Sequence, residues 1–571
     1  MASSSDEDYD PLVESLSSET DTDSTDDELV DSEDISDLDD NVLESGFRLI
    51  SDIFGDRRPD PIPPFTSEYS GINPLLTGAE LSEPGAAFQQ FFDDELVNAM
   101  CRWINEKADV FFQKNPQKKG KVHGLIWKAV TSGDVYTFLA LLMVMGITHI
   151  PRYPMYWRKD IQVYGPPCFC KEVMSRDRFL SIMKFLRFSS AQQVRKDKPS
   201  TRIEPYLEML RERCQWVMRP GKNFAVDEAL ILWKGRLSFR QFIKTKRSRF
   251  GIKAFMLCPS DKTWNGYSWN FVIYYGKDSF TPDEPLPSAL SLSERIVVYI
   301  MKDLIDEGRQ VFTDNWYTSL RLAEYLLTRK TLITGVVRAG RGPPKELVDQ
   351  PLSKRQSCFA RKGNTLIVKY QDRSQVTVLT TKYEANMVEK CRVYFGNKVD
   401  FYNKPLHIDK YNTRMGSVDF ADQMLEPYET NRKSLAWFKK IGIHFMFRML
   451  LNSYITCKAV GNYKHDFMQF ILHTSRDLFR QFNNGARQLF DAPANQPRPK
   501  LPAGHILEKV EGGKQKRCRV CAPKRKDTRF HCPACPKQPG LCSMDHYLEW
   551  HKSSDEDADE PKPSTSGKRK R

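Results

Sequence analysis

The sequence predicts a multidomain α+β protein, with a strand-rich centre interrupted by a small β-rich segment, helical segments on both sides and a C-terminal cysteine/histidine module. Three observations predict it. Apolar residues recur at helical spacing from about 88 to 220 and again from 434 to about 484. Strand-length apolar runs separated by turn-like or basic joints dominate 222 to 315. Five of the 13 cysteines fall between Cys518 and Cys542, the rest being scattered over 101–457. At 571 residues the chain is too long for one ordinary core, so two to four folded units are expected.

Residues 1–85 read as a disordered acidic arm. They are Ser/Asp/Glu-rich, then proline-rich ("RRPDPIPPF"), with few apolar residues to bury. Ser4 and Ser24 each precede an acid by three residues and suit acid-directed phosphorylation. Residues 1–45 hold 18 Asp/Glu and no Lys or Arg, so removing −18 from the net +13 leaves +31 on the other 526 residues. Such a body attracts polyanions, nucleic acid above all, and the arm could compete for it. The acidic N-terminus is no secretory signal, so the cysteines are expected as thiols.

Residues 86–220 form the first helical part. "DELVNAMCRWINEKADVFF" and "SRDRFLSIMKFLRFS" carry apolar residues at helical spacing with charges between them. Arg176, Asp177, Arg178, Lys184 and Arg187 line the polar side of the second. "VYTFLALLMVMGITHI" is short for a bilayer span and contains Thr, Gly and His, so it reads as a buried helix.

In the centre, 221–339, "NFAVDEALILW", "GRLSFRQFI", "RFGIKAFMLC" and "WNFVIYYGK" read as strands. "SERIVVYIMKDLIDEG" reads as a helix and "QVFTDN" as a strand after it. Antiparallel strands, a helix and a further strand is the order expected of an RNase H-like core. Residues 340–405, with "NTLIVKYQD" and "QVTVLTTKY", are the β-rich insertion, and 406–430 complete the core. Helices return in 431–486, followed by a linker at 487–513, the cysteine/histidine module at 514–555 and a basic tail at 556–571.

The candidate chemistry rests on separated aspartates. Strands disfavour Asp, so Asp227 inside one predicts a partner or a metal. Asp314 ends a strand, where carboxylates can converge on a cleft. Asp419 and Asp422 lie three apart, on one face of a helix. Three such segments could hold two Mg²⁺ (or Mn²⁺) ions through Asp227, Asp314 and Asp419, with Asp422 supporting them. Two ions about 4 Å apart suit the attacking and leaving oxygens of a phosphodiester. No glycine loop cradles a nucleotide phosphate, so no nucleotide cofactor is expected, nor is a membrane. Between Ala229 and Ser260 stand Lys234, Arg236, Arg240, Lys244, Lys246, Arg247, Arg249 and Lys253 and no acid, and Phe239, Phe242 and Phe250 interleave with them, a pattern suited to gripping a nucleic-acid backbone.

"AVDEALILWKGRLSFRQFIKTKRSRFGIK", "FTDNWYTS", "GSVDFADQM" and "SRDRFLSIMKFLRF" resemble the matching segments of piggyBac-family transposases, in the same order, over about 88 to 555. The resemblance implies an RNase H-like catalytic domain with an insertion, helical DNA-binding and dimerisation segments on both sides, and a homodimer on double-stranded DNA. It implies Asp227, Asp314 and Asp419 as catalytic aspartates, with Asp422 a further required one. It implies cleavage at terminal inverted repeats through hairpinned ends, then insertion at TTAA. Asn315, Trp437 and the basic residues Arg338, Arg341 and Lys345 match family positions near DNA. Gly340, Pro343 and Ser417 depart from the family pattern and spare every carboxylate. A domesticated descendant that binds DNA without mobility is the alternative, and an RNA-processing nuclease on the same core is a third reading.

The terminal module reads C-x2-C, ten residues, C-x2-C, six residues, then C-x3-H-x4-H, a spacing for structural zinc. A cross-braced pair of ions needs eight ligands, and seven are evident: Cys518, Cys521, Cys532, Cys535, Cys542, His546 and His551. His531 is the candidate eighth. Such a module would be largely unfolded without metal. The family has a similar repeat-binding domain, and Lys524, Arg525, Lys526 and Arg529 could meet phosphate. "KQKR" at 514–517 or the terminal "GKRKR" reads as a nuclear import signal.

Overall fold

The computed structural model describes residues 46–555 apart from 77, 159, 161–165, 244–248, 277–278, 280–287, 394–398, 430–435, 462, 492–504 and 522–525. The chain divides into two compact units, Met1–Phe490 and Asp491–Arg571.

The first unit is organised by one ten-stranded sheet. Its strands are β1 (Arg48–Ile50), β2 (Asn223–Leu232), β3 (Gln241–Phe242), β4 (Phe250–Pro259), β5 (Asn270–Ile273), β6 (Gln310–Thr313), β7 (Leu332–Val336), β8 (Ser357–Lys362), β9 (Thr365–Gln371) and β10 (Gln375–Thr380). Their order is β1-β8-β9-β10-β7-β6-β2-β4-β3, with β5 also on β4. β2 is antiparallel to β4 and parallel to β6, and β6 is parallel to β7. The two parallel steps need crossovers, which α5 (Leu292–Ile300) and α6 (Leu320–Thr328) help to supply. β4 is apolar and buried along nearly its whole length, as a strand covered on both faces must be.

The strands expected as an insertion at 340–405 are not a separate sheet. β8, β9 and β10 form an antiparallel meander, and β10 pairs with β7, so they extend the central sheet. Among the described residues of this segment, β11 (Met387–Val393) and β12 (Val399–Pro405) stand apart, as a two-stranded ribbon.

Helices pack around this sheet. α1 (Asp94–Lys114) starts at Asp93, whose carboxylate accepts the Leu96 N–H, and α2 (Ser132–Ile147) starts with a Thr131/Asp134 capping box. α2 buries residues all round, as its unbroken apolar run requires. Tyr136 stacks on Phe482 of α10 (Phe467–Phe482) at 3.9 Å, and at Gly146 a β-carbon would lie 2.7 Å from Phe447. That glycine lets α2 approach α9 (Trp437–Gly461), a long helix also buried on most sides. No helix among the described residues is long and apolar enough to cross a membrane. All thirteen cysteines are free thiols.

The expectation of disorder through residue 85 does not hold for its later part. Residues 48–50 pair with β8, and Asp56 is buried beneath Arg361, which reaches its carboxylate through Nε and Nη2, both at 2.6 Å. The Ala385 N–H adds a 2.8 Å bond, and Phe65 lies 5.0 Å from the Arg309 guanidinium. A low count of apolar residues concealed this strap because one ion pair and strand addition hold it. The strap also covers an open sheet edge. The expected acidic arm at 1–45 lies outside the described residues.

Burial raises the Asp56 carboxyl, but the Arg361 and Ala385 bonds outweigh it and hold it below the ordinary value. Its stabilisation is therefore complete above the ordinary Asp range and is lost as pH falls through the lowered value. Asp56→Asn strands a buried guanidinium and should cost about 3–5 kcal/mol in denaturant unfolding. Unchanged protection of the β1 and β8 amides in that variant would contradict this anchoring.

Candidate active site and candidate metal centres

The parallel pairing of β2 and β6 sets the first site. Asn223 aligns with Gln310, and Val226 with Thr313. The next residue on each strand is an aspartate, Asp227 and Asp314. Glu228 follows at once and brings a third carboxylate, so the ligand oxygens of Asp227, Glu228 and Asp314 lie within 4.8 Å of one another. The Asp314 carboxylate accepts the Trp316 N–H at 2.9 Å, which fixes the loop after β6. That loop packs against β7 at Gly335, where a β-carbon would collide with the Thr318 hydroxyl. Glu228 accepts a 3.2 Å bond from the Tyr317 hydroxyl, and Lys253 Nζ lies 4.0 Å away, over the Trp316 ring at 4.2 Å. Lys253 thus serves the carboxylate cluster rather than an outer basic surface. Burial first, then the charge of Glu228, push the Asp314 carboxyl above its ordinary value, against the Trp316 and Tyr317 N–H groups and Lys253. Crowded, partly buried oxygen donors of this kind suit a hard divalent cation.

Asp419 and Asp422 ride on α8 (Ser417–Leu425), which packs across β2 and β4. Ser417 ties its start to the sheet: its hydroxyl donates to the Pro259 carbonyl at 2.6 Å and accepts the Gly266 N–H at 3.0 Å. The serine that departs from the family pattern is therefore an anchor. Asp419 is exposed and lies outside the three-carboxylate group. It still belongs to the same neighbourhood. Tyr411, on α7 (Leu406–Arg414), packs with Ala225 and Phe312, each two residues before an aspartate. Burial, then Asp314, Asp227 and Asp419 in turn, push its phenol well up. Asp422 turns the other way, into an ion pair with the fully buried Arg448 of α9. Arg448 also donates to His444 at 2.9 Å, and His444 meets Glu429 at 2.5 Å. Two carboxylates three residues apart thus do different work: Asp419 flanks the cluster, and Asp422 fixes the helix.

The residues expected at DNA fall into several places. Arg338 donates to Asn315 at 3.2 Å, and Arg341 to the Trp316 carbonyl at 2.7 Å, so both brace the loop after Asp314. Lys345 is exposed at the start of a short helix. Lys234, Arg236, Arg240 and Arg249 are exposed, with Arg240 4.9 Å above Phe250, whose ring lies tilted against Phe242 at 4.8 Å. Phe239 is instead buried against Trp437 at 5.2 Å, and Trp437 is itself an interior residue. Lys526 and Arg529 are exposed, while Lys244, Lys246, Arg247, Lys524 and Arg525 lie outside the described residues.

The second unit gathers two sets of four ligands. Cys518, Cys521, Cys542 and His546 form one; His505, Cys532, Cys535 and His551 form the other. Cys521–Cys542 is 3.5 Å, Cys542–His546 3.2 Å, Cys535–His505 3.3 Å and Cys535–His551 3.2 Å. A tetrahedral zinc with ordinary Zn–S and Zn–N bonds has edges of about 3.3–3.8 Å. The His551 Nδ1 bonds the Tyr547 carbonyl at 2.6 Å, which aims Nε2 at the ligand group. The residue that completes the second set of four candidate ligands is His505, not His531. His531 lies beside Lys516 Nζ at 3.5 Å, outside both groups. His505 stands in the expected linker, 13 residues before Cys518, with no knuckle spacing to mark it. It arrives because Glu508–Lys509 pairs antiparallel with Phe530–His531.

Asp227→Asn or Asp314→Asn relieves like-charge repulsion and should leave thermal stability in chelator unchanged or raised. Asp422→Asn removes the partner of a buried guanidinium and should cost about 1–3 kcal/mol; a melting temperature equal to wild type would exclude that role. Metal analysis should find two zinc ions per chain, one after His505→Ala and two after His531→Ala. Two retained in the His505 variant would remove it from the ligand set.

Comparison with known proteins places this geometry. The family model described as Transposase IS4 matches residues 83–454. The human PiggyBac transposable element-derived protein 3 is 25% identical over 493 residues, covering 82% of this chain and 76% of that protein. The human "Chimeric ERCC6-PGBD3 protein" is equally similar, but the chain spans only 43% of its length. Among solved structures, a piggyBac transposase in a synaptic complex with hairpin DNA matches 84% of this chain and all of that chain, with a TM-score of 0.63 and 22% identity. With its mixed α+β fold, its carboxylate cluster and this match over residues 83–454, the chain belongs to the piggyBac family of IS4-type transposases.

Proposed function

We propose that the chain is an active cut-and-paste DNA transposase that binds terminal inverted repeats, cleaves through hairpinned ends and joins them at TTAA. The observation that carries this reading is the juxtaposition of Asp227, within β2, and Asp314, just past the end of the parallel strand β6, with Asp419 on the helix that packs beside β2. Strands in the order β5-β4-β2-β6-β7, antiparallel for the first three and parallel beyond, support the RNase H-like reading of the core.

Asp227, Asp314 and Asp419 would hold divalent cations, which supply Lewis-acid activation of a phosphodiester and stabilise its leaving oxygen. Glu228 adds negative charge beside Asp227, and Lys253 and the Tyr317 hydroxyl hold its carboxylate in place. Burial, then the carboxylates of Asp314, Asp227 and Asp419, push the Tyr411 phenol up beside the cluster. Arg338, Arg341 and Asn315 stiffen the loop beside Asp314, where the joining step would occur. The two cysteine/histidine groups would hold structural zinc and present the exposed Lys526 and Arg529 to repeat DNA. The functional unit would be a nuclear homodimer holding two ends.

A domesticated, non-mobile DNA-binding protein is the competing reading, favoured by the relatives that are named as element-derived. Purified chain and a duplex carrying the flanking inverted repeat decide between them. Nicking and hairpin formation should occur with Mg²⁺ or Mn²⁺ and vanish in Asp227→Asn, Asp314→Asn and Asp419→Asn, with repeat binding retained. Tight repeat binding with no nick in either metal would overturn the enzyme reading.

A further inference from the structure

The carboxylate cluster keeps company with a group that cannot ligate a metal, the ammonium of Lys253. Lys253 stands on β4, opposite Leu230 of β2. Its side chain is 13% exposed, and its Nζ lies 4.9 Å from the centre of the Phe255 ring and 4.2 Å from that of Trp316. The two rings are stacked, 5.8 Å apart and 8° from parallel. They cover the stem and place the ammonium 4.0 Å from the Glu228 carboxylate. That distance is too long for a hydrogen bond, so Lys253 contributes charge to the cluster rather than a bond.

The loop after β6 ties this cation to the acids. Trp316, which walls the ammonium, donates its N–H to Asp314 at 2.9 Å. Tyr317, the next residue, is fully buried and donates its hydroxyl to Glu228 at 3.2 Å. Asp227 bends along its own strand to accept the Glu228 N–H at 2.8 Å. The three carboxylates and the ammonium are therefore positioned together, by two strands and one loop.

Their charges do not cancel. Three carboxylates against one ammonium leave a formal −2, which a single divalent cation neutralises. A second divalent cation would leave a net positive charge in a partly buried site, and Lys253 would repel it at close range. Two-ion phosphoryl chemistry therefore needs negative charge from outside the group. A substrate phosphodiester carries it.

We infer that Lys253 is a positioning residue that serves as the built-in counter-cation of the cluster, admitting one divalent ion to the free protein and holding out the second. The inference rests on the reading of the cluster as the metal site of a transposase, and it names how that site is regulated. With Lys253 in place, the full metal complement assembles only on engaged DNA, which restrains unbound protein from nicking passing duplex.

The test is Mn²⁺ binding by zinc-loaded, full-length protein without DNA, followed by the electron paramagnetic resonance signal of free Mn²⁺. It counts ions and gives affinities with no turnover. Each protein is compared with its own Asp314→Asn version, so that only ions at this cluster are counted. Wild type should bind one. Lys253→Met keeps an apolar stem over the rings and removes the charge; it should bind the first ion about tenfold tighter and admit a second. Lys253→Arg restores the charge and should return the count to one. A Lys253→Met protein of normal melting temperature with the wild-type count and affinity would overturn the inference, as would two ions in wild type. If Asp314→Asn removes no ion from wild type, the metal reading of the cluster falls and this inference with it. One ion in wild type and two in Lys253→Met, in a chain that never nicks repeat DNA, would refute the cleavage reading and leave this one standing.

Discussion

The structure turns on the in-register parallel pairing of β2 with β6. Backbone hydrogen bonds carry Val226 and Thr313 side by side, and the chain then places an aspartate at the next position of each strand. Nothing in the pairing tolerates a one-residue slip, because that would send Asp227 or Asp314 to the opposite face. The result is an unfavourable local charge density, made sharper by Glu228 and by the burial that raises Asp314. A fold that concentrates anions where solvent is scarce is stable enough to persist only because β4, β5 and β7 fix the sheet around it. Such a site is primed for a cation.

A second constraint holds the remaining acid in range. α8 is pinned at its start by Ser417 to the end of β4, and further along by Asp422 to Arg448. Arg448 is fully buried on α9 and continues to His444 and Glu429. The polar chain therefore connects the sheet face to the longest helix of the core. Asp419, between the two pins, has little freedom to leave the neighbourhood of Tyr411. The same device, a buried guanidinium on a carboxylate, recurs at Asp56–Arg361, where it fastens the N-terminal strap across the far edge of the sheet.

Much of this was legible in the sequence, and the reasons are physical. Strand period and turn chemistry exposed the order of the central elements, and an acid inside a strand marked Asp227. Cysteine knuckles marked seven zinc-type ligands, because short-range spacing is what sequence displays well. What stayed hidden depends on distant pairing. Glu228 was not singled out, because only the packing of β2 beside the end of β6 shows its carboxylate within 4.8 Å of those of Asp227 and Asp314. His505 comes to its cluster through a two-residue strand pair that no local pattern announces. Lys253 sat in a run of basic residues, yet its strand register turns it toward Glu228. Strands 340–405 read as an insertion, and only their pairing with β7 shows that they widen the main sheet.

The central claim is that the gap between Asp227 and Asp314 is a divalent-cation site. Thermal unfolding of zinc-loaded protein at rising Mn²⁺, without DNA, tests it most directly. Wild type should gain melting temperature with saturation as Mn²⁺ increases. Asp314→Asn should start at or above the wild-type midpoint and gain little. Equal Mn²⁺-induced shifts in both proteins would contradict the account.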